Sequence, residues 1–332
     1  DGTVEVDPST ATWRVRLGAG EHRIRLAVVL ADDLARTDDL LRTALDADTR
    51  RVDRWGGLLR LEGTGQPWLE REAAWHATQL VSARQRDAHF DRSYVAQGSA
   101  YGFVHALQGA PRDYALFAAA AALFDADAAL ELLRVALRMM TSGGAISYAH
   151  TARGMLTSAG IHAAPTDLPI WLLWAIPEVI WTTGRRDLLD ERLPFWPGTD
   201  PDNEKSSTVR ERVELAFRRL VEKVGLGRHG LVRVGTGDWC DPISAMVDDR
   251  EAFHKKGEST FNTGFAVYAL PRAADLVADD QPELAAEMRA YASELASSLR
   301  WTWTDRWYLR GWDGRGHPIG GDHLFLDAQV WP

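Results

Sequence analysis

The sequence predicts a mainly α-helical protein in which helices pack as an α/α toroid. From position 34 onward, about nine stretches repeat apolar residues with helical periodicity. Uneven loops rich in Gly, Pro and Asp join them, and the longest are 141–165, 194–207 and 235–258. No fixed-period repeat is visible, which argues against a solenoid of near-identical units. Many helices with long connecting loops are typical of a toroid whose loops gather at one end.

The first thirty residues predict β-structure instead. Apolar and polar residues alternate over 13–17, the segment GAGE predicts a turn, and the alternation resumes over 24–28. This pattern is typical of a hairpin with one solvated face. A second hairpin is predicted within 301–320, with its turn at DGRG, and it interrupts the helices.

Three stretches illustrate the helical pattern. Residues 127–140 place leucines and a methionine on one stripe, and 281–299 repeat the arrangement. A third helix begins with Thr208 and Glu211 at the spacing of a capping box. It ends at Gly225, a residue typical of helix C-termini.

Composition limits the function classes. A net charge of −9 argues against nucleic acid or an anionic membrane as a partner. No apolar run approaches the roughly 20 residues of a membrane span. The single cysteine, Cys240, excludes an internal disulfide, and the histidines lack metal-ligand spacing, so we expect no metal. Nucleotide-loop, HExxH and GxSxG motifs are absent. Trp outnumbers Phe and Tyr (14, 10 and 7), which favours a carbohydrate ligand.

The segment GTGDWCDP, residues 235–242, is the strongest candidate site. Its glycines permit tight turns and Pro242 disfavours helical geometry at Asp241, so Asp238 and Asp241 are predicted to project from a loop. Two close carboxylates beside Trp239 would repel each other and be partly desolvated. One of them could then keep a proton near neutral pH, as a general acid requires. The alternative is a capping Asp and a solvated Asp on an ordinary loop.

Three further stretches carry polar candidates. The Arg112 guanidinium could donate hydrogen bonds to sugar hydroxyls, and the Asp113 carboxylate could accept them. The alternative is that the two residues form an ion pair at a helix start. Asp167 begins an apolar helix and is interpreted as its N-cap. The basic run 254–256 could hold a phosphate or could be a solvated charge run. Glu258 is either a second catalytic carboxylate or a helix N-terminal acid.

These motifs, in this order, resemble a known family. GTGDWCDP, KGES, WYLRGWDGRGHPIG and LDAQVW are similar to segments of the glycoside phosphorylases of glycoside hydrolase family 94, such as cellobiose and chitobiose phosphorylases. RDYALF and TDLPIWLLWAIPEVIWTTGRRDLLDERLPF fall in place upstream. The resemblance extends over roughly 90–332.

The resemblance implies an architecture. It implies the end of an N-terminal β-sandwich domain at 1–32, linker helices at 33–90 and an (α/α)6 catalytic barrel at 91–332, incomplete at its C-terminus. We therefore expect a chain cut at both ends. A homodimer and a cytoplasmic location are further expectations.

The resemblance also implies a reaction, the inverting phosphorolysis of a β-linked gluco-configured di- or oligosaccharide to a sugar 1-phosphate. Asp241 matches the general acid, Asp238 and Trp239 would shape the pocket, and Arg112 with Asp113 would contact the cleaved sugar. Glu258 is included as a further substrate-binding residue. With inorganic phosphate as co-substrate, no other cofactor is expected. The family's own phosphate contacts would lie beyond residue 332.

Departures from the family pattern keep alternatives open. Cys240 and Pro242 replace Asn and Gly, and Leu116 and Phe117 replace Gln and Asp. One alternative is an inverting glycoside hydrolase, which needs a general base in addition to the acid. Its candidate bases are Glu258, Asp248 and Asp249. Another alternative is a non-catalytic sugar-binding relative.

Overall fold

The structure is a computed structural model, and it divides the chain into two compact units, Asp1–Gly57 and Leu58–Pro332. The division lies inside the predicted linker region 33–90. Among the described residues, no helix has the length and apolar character needed to cross a membrane. The structure describes residues 4–7, 12–15, 18–21, 34–46, 57–96, 107–151, 155–157, 162–200, 202 and 204–332.

The first unit contains a short antiparallel pair of strands. β1, Val4–Asp7, pairs with β2, Thr12–Val15, with Val4 opposite Val15, and the helix α1, Leu34–Asp46, follows. The sequence predicted strand structure at β2 correctly but did not predict β1. Its predicted partner, 24–28, lies outside the described residues, and the β-sandwich stays a prediction.

The second unit is mainly helical, as predicted. Its helices are α2 Pro67–Ser82, α3 Pro111–Ala121, α4 Ala126–Arg138, α5 Leu168–Thr183, α6 Val209–Arg218, α7 Arg250–Lys256, α8 Thr260–Val277 and α9 Pro282–Leu299. Short strands lie between them: β3 Arg84–Asp87, β4 Arg92–Val95, β5 Leu107–Gly109, β6 Ala149–Thr151, β7 Leu156–Thr157, β8 Arg192–Pro194, β9 Ser206–Thr208, β10 Glu258–Ser259, β11 Gly311–Trp312 and β12 Pro318–Ile319.

Six of these helices form three consecutive hairpins. The pairs are α3 with α4, α5 with α6, and α8 with α9, and the first helices of the pairs also pack on one another, α3 on α5 and α5 on α8. Burial explains this alternation. α8 is buried over most of its length, whereas its partner α9 buries one stripe that includes Leu284, Met288 and Leu295. Inner and outer helices that alternate in this way are typical of α/α barrels.

Local sequence signals set several boundaries. Thr208 and Glu211 form the predicted capping box, which satisfies two backbone N–H groups at the start of α6. The helix widens into one π-helical segment, Arg219–Val224, and stops at Gly225, whose φ of +65° suits glycine. The hairpin β11–β12 confirms the predicted turn at DGRG.

Two elements differ from the prediction. The hairpin β3–β4 was not predicted and forms because the Asp87 carboxylate accepts the backbone N–H groups of His89 and Phe90, which closes the turn. The 235–258 loop contains α7, which Asp249 caps by accepting the N–H of Ala252.

The amino ends of α3, α5 and α8 meet at one end of the bundle. Arg112 in the first turn of α3 lies 3.5 Å from the carboxylate of Asp167, which precedes α5. Asn262 in the first turn of α8 donates to the Thr166 hydroxyl at 2.9 Å. The loops that precede these helices, including GTGDWCDP, therefore gather at this end.

Candidate active site

The segment GTGDWCDP folds as a tight loop, as predicted. At Gly235 φ is +57°, and a Cβ there would lie 2.5 Å from the Ala164 carbonyl oxygen, so the close approach of the two loops requires glycine. Asp241 begins a 3₁₀ turn, Asp241–Ala245, with Pro242 in its first positions. The Asp241 side chain is therefore held on a constrained turn and not on a regular helix face.

Three side chains hold the Asp241 carboxylate. Arg112 Nη1 lies 3.2 Å and His162 Nε2 3.0 Å from Oδ1, and the Tyr148 hydroxyl donates to Oδ2 at 3.0 Å. The carboxylate is oriented through both oxygens, yet 23% of the Asp241 side chain stays exposed. An oriented and accessible carboxyl group of this kind can reach a bound ligand.

Asp238 has a different environment although it lies three residues away. Its carboxylate is completely buried and binds Arg310 Nη2 at 2.6 Å, the Ser259 hydroxyl at 2.5 Å and the backbone N–H of Cys240 at 3.0 Å. Arg310 also pairs with Asp327 at 3.0 Å. Asp238 therefore stabilises the loop from its buried side, and none of its described contacts lies on the exposed side of the site.

The prediction that repulsion between Asp238 and Asp241 keeps one of the two protonated is wrong. Burial alone would raise both pKa values, but the Arg310 charge with three hydrogen bonds outweighs it and lowers the pKa of Asp238. For Asp241, burial is outweighed by the His162 hydrogen bond, the Arg112 charge and the Tyr148 hydroxyl, so its pKa is also lowered.

Asp113 is the carboxyl group that burial keeps protonated near neutral pH. Burial, opposed by Arg112 and assisted by the charges of Asp241 and Asp167, raises the pKa of Asp113 to about 7. Asp113 therefore exists as a mixture of acid and carboxylate at neutral pH, and can donate or accept a hydrogen bond.

Arg112 joins the acids of this cluster. Its Nη1 donates to the Asp238 carbonyl oxygen at 3.0 Å and lies near Asp167 and Asp241. Burial opposes its charge, but these carboxylates raise the pKa of Arg112 overall. Asp167 precedes α5 but does not cap it through its side chain, because its Oδ2 accepts the Trp171 indole N–H at 3.0 Å. Its N-cap interpretation is thus corrected to a buried partner of Arg112.

Several buried polar atoms of this cluster have no hydrogen-bond partner among the described residues. They are Arg112 Nε and Nη2, Asp113 Oδ2 and Asp167 Oδ1. Unsatisfied buried donors and acceptors are uncommon and costly in folded proteins. Their concentration beside an accessible carboxylate is typical of a site that receives a polar ligand.

Trp239 forms an aromatic wall of this site. Its side chain is 39% exposed, and its ring lies 5.3 Å from that of the buried Trp171. A half-exposed indole supported from behind offers an apolar face that suits the C–H face of a sugar ring. Its predicted role in shaping the pocket is compatible with this position.

Glu258 lies apart from the other candidates. Its side chain is 1% exposed, its Oε2 lies 2.5 Å from His229 Nδ1, and its Oε1 accepts the backbone N–H groups of His229 and Leu231. The adjacent Ser259 binds Asp238, so consecutive residues of β10 use opposite faces of the strand. The expectation that Glu258 contacts the same ligand as Asp241 is therefore corrected, because its carboxylate is occupied by this turn.

His162, Tyr148 and Arg310 contact the acids but were not predicted. Each comes from a segment distant in sequence from GTGDWCDP, so spacing offered no signal. The nearest clues were the long loop at 141–165, which contains Tyr148 and His162, and the second predicted hairpin, which contains Arg310. Within the described part of the chain, no group of three or more His, Cys, Asp or Glu residues is arranged to hold a metal.

The fold and the site define a class of protein, the carbohydrate-active enzymes built on helical hairpins. Residues 97–331 match the family described as Glycosyl hydrolase 94 superfamily, catalytic domain. The chain belongs to this family, as the motifs indicated.

Individual relatives agree with the assignment. A curated 3-O-beta-D-glucopyranosyl-beta-D-glucuronide phosphorylase from Paenibacillus borealis is 31% identical over 173 residues, 50% of this chain. The chain spans only 21% of that relative.

A solved structure is similar to this chain in fold. A sugar epimerase from a ruminal bacterium aligns over 80% of this chain and 62% of its own, with a TM-score of 0.50 and 12% identity. A rhamnosidase from Klebsiella oxytoca with rhamnose bound covers 67% of this chain and 37% of its own, at 19% identity and a TM-score of 0.42.

Proposed function

We propose that the protein is a glycoside phosphorylase that cleaves a β-linked gluco-configured saccharide with inversion, on an (α/α)6 barrel. In this reaction, an oxygen of inorganic phosphate forms a bond to the anomeric carbon as the bond to the leaving sugar breaks. Asp241 delivers a proton to the leaving oxygen. The products are an α-sugar 1-phosphate and a free hydroxyl on the shortened saccharide.

The observation that carries this proposal is the accessible Asp241 carboxylate, oriented through both oxygens and bordered by unsatisfied buried polar atoms. The unsatisfied atoms of Arg112, Asp113 and Asp167 offer donors and acceptors for sugar hydroxyls. Each such hydrogen bond to a charged group contributes about 1.5–3 kcal/mol. The exposed face of Trp239 supplies an apolar surface for the ring.

The lowered pKa of Asp241 raises the question of where the acid's proton is held. His162 Nδ1 lies 2.9 Å from the Thr236 carbonyl oxygen, an acceptor, so Nδ1 carries a hydrogen. His162 Nε2 then faces Asp241 Oδ1 at 3.0 Å, and a hydrogen bond between them requires a proton on one or the other. We infer that the pair shares one proton, which Asp241 delivers during the reaction.

The leaving group in this proposal is a sugar or a sugar acid. The relative from Paenibacillus borealis is named for a glucosyl-glucuronide, which makes glucuronide the first leaving group to test. Homodimer formation and the cytoplasmic location remain expectations.

The hydrolase alternative has less support from the contacts of its candidate bases. Glu258 is bound by His229 and two backbone N–H groups, and Asp249 caps α7. Asp248 is exposed. A general base must instead reach a water on the far side of the anomeric carbon.

The deciding experiment is an assay of the protein on β-glucobioses, longer β-glucosides and 3-O-β-glucosyl-glucuronide, with and without inorganic phosphate. We expect phosphate-dependent release of α-glucose 1-phosphate, identified by phosphorus NMR. Free glucose released equally without phosphate would assign an inverting hydrolase. Binding of a saccharide without turnover on any substrate would favour the non-catalytic relative.

A further inference from the structure

A cavity of about 640 Å³ lies on the Glu258 side of β10. Its walls are the turn after the π-helical segment, the end of α7 and the β11–β12 hairpin, which contribute Arg228, Lys256 and Arg315 among others. Cavities of several hundred Å³ are the size that small-molecule ligands occupy. The functional proposal above leaves this cavity unused.

Four cationic side chains line the cavity: Arg228, Arg233, Lys256 and Arg315. All four are exposed, and none forms an ion pair with any described residue; only Arg233 uses its guanidinium, donating to the Leu226 carbonyl oxygen at 3.0 Å. In a protein of net charge −9, four unpaired cations around one cavity are a local concentration of positive charge. Such a concentration attracts anions.

Hydrogen bonds and ring stacking hold the residues that form the floor of the cavity. Glu258 binds the side chain and backbone of His229, and the His229 ring stacks on Trp312 at 3.8 Å with an interplanar angle of 16°. A Cβ at Gly227 would lie 2.3 Å from the Glu258 side chain, so only a glycine at this position lets the turn come so close to Glu258. The one acid of the floor is thereby satisfied within the protein, which leaves the cations for a ligand.

The cavity is separate from the Asp241 cluster. Glu258 faces the cavity, whereas the next residue, Ser259, faces Asp238 on the other side of the strand. A ligand in the cavity would therefore contact one face of β10, and Asp238 lies on the opposite face.

We propose that this cavity binds a small phosphate-bearing anion, either inorganic phosphate or the phosphate group of a sugar phosphate. Guanidinium groups bind phosphate oxygens through paired hydrogen bonds, and Lys256 adds a point charge. Four cations carry more positive charge than is needed to neutralise a ligand that has a single carboxylate group. The basic run 254–256 contributes to this cavity through Lys256, so its predicted phosphate role is retained at the end of α7.

The test is an NMR titration of the indole N–H of Trp312, assigned with a Trp312→Phe variant. This N–H is buried with no acceptor among the described residues, so its signal reports on the cavity and not on the Asp241 site. Inorganic phosphate and α-glucose 1-phosphate are titrated separately at constant ionic strength. Potassium chloride controls for ionic effects, and glucuronate is the carboxylate counterpart.

We expect a saturable shift of the Trp312 signal with both phosphate compounds. The double variant Arg228→Ser/Arg315→Ser should weaken this binding at least 10-fold, because it removes two of the guanidinium groups that would bind the phosphate oxygens. The control variant Arg71→Ser changes an exposed arginine on α2 that forms no ion pair with another described residue, and it should bind as the wild type does. Tighter binding of glucose 1-phosphate would identify a sugar phosphate as the ligand, and equal binding would identify the phosphate group alone.

Three results would overturn the proposal: no saturable shift, an unchanged affinity in the double variant, or tighter binding of glucuronate than of phosphate. Because the readout is binding at Trp312, it does not depend on whether the protein turns over a saccharide.

Discussion

Two of the carboxylate–histidine pairs in the described part of the chain have opposite exposure. In the first pair, His162 is completely buried and Asp241 has a side chain that is 23% exposed. In the second pair, Glu258 is 1% exposed and His229 is 28% exposed. Both pairs lie within hydrogen-bond distance, at 3.0 and 2.5 Å. Proximity to a histidine therefore does not distinguish a reactive carboxylate from a structural one.

The other hydrogen-bond partners of the two carboxylates distinguish the structural one from the reactive one. Glu258 accepts two backbone N–H groups besides His229, so its oxygens stabilise a turn. The contacts of Asp241 described above are with the side chains of Arg112, His162 and Tyr148, and the Thr236 carbonyl oxygen fixes the other ring nitrogen of His162. A carboxylate held by side chains at the edge of a site can exchange a proton with a ligand, whereas one enclosed by backbone cannot.

The largest contrast should appear in turnover. Asp241→Asn removes the proton donor while keeping the size of the side chain, and we expect kcat to fall about 10²–10⁴-fold. The matched change Glu258→Gln should leave kcat within about 3-fold in protein that remains folded. Steady-state kinetics on the substrate found by the phosphate assay measures both. A larger loss for Glu258→Gln, with the fold intact by circular dichroism, would reverse the roles assigned to the two pairs.

The second contrast concerns pH. In the proposed account, the proton that Asp241 delivers is shared with His162, and without the imidazole the carboxyl group must retain it alone. His162→Gln should therefore move the basic limb of the kcat/KM profile to lower pH and reduce kcat/KM about 10–100-fold at pH 8.

The matched variant is His229→Gln, which alters the other pair. It should leave the position of the basic limb unchanged. An unchanged limb in His162→Gln as well would mean that Asp241 holds its proton without the histidine.

How far the sequence anticipated these pairs depends on the range of the interactions. Helix periodicity and the capping residues Thr208 and Glu211 are local signals, and the helices they predicted are present. The turn residues of GTGDWCDP likewise predicted a loop that presents Asp241. Motif order in the chain identified the family.

The partners could not be predicted because they come from distant segments. His162 is 79 residues from Asp241 in sequence, and Arg310 is 72 residues from Asp238. Whether a carboxylate in GTGDWCDP is protonated depends on these contacts, so repulsion between two acids was the wrong basis for the prediction. The same reason explains Glu258, because its environment depends on β10, a two-residue strand that forms by pairing with the distant residues Gly311 and Trp312.

A third contrast concerns stability. Glu258→Gln weakens a buried charged hydrogen-bond set that closes the turn at His229, so we expect a loss of about 1–3 kcal/mol in the free energy of unfolding. Asp241→Asn should change this free energy by less than about 0.5 kcal/mol, because its side chain is partly solvated and stabilises no backbone turn in the contacts described. Urea denaturation of the two variants measures both values. Equal losses would show that Asp241 is as structural as Glu258.

The smallest effect should come from Tyr148→Phe, and its direction is informative. The Tyr148 hydroxyl donates to Asp241 Oδ2 and so stabilises the ionised carboxylate, which is one cause of the lowered pKa of Asp241. Removing it should raise this pKa, so the basic limb of kcat/KM should move slightly to higher pH, opposite to the shift in His162→Gln. The loss of orientation should lower kcat only about 3–10-fold, because Arg112 and His162 still hold the other carboxylate oxygen.

Tyr114→Phe is the matched control for this change. The Tyr114 hydroxyl is also buried and lies 2.6 Å from a histidine, His150, but in no described contact does it touch Asp241. Its loss should therefore affect stability without moving the pH profile. Opposite shifts for Tyr148→Phe and His162→Gln would separate the two functions of the side chains around Asp241: the tyrosine stabilises the charge that remains after proton transfer, and the histidine keeps the proton available before it. Shifts in the same direction would mean that both act only through orientation, and the shared proton would then be the wrong account of the acid.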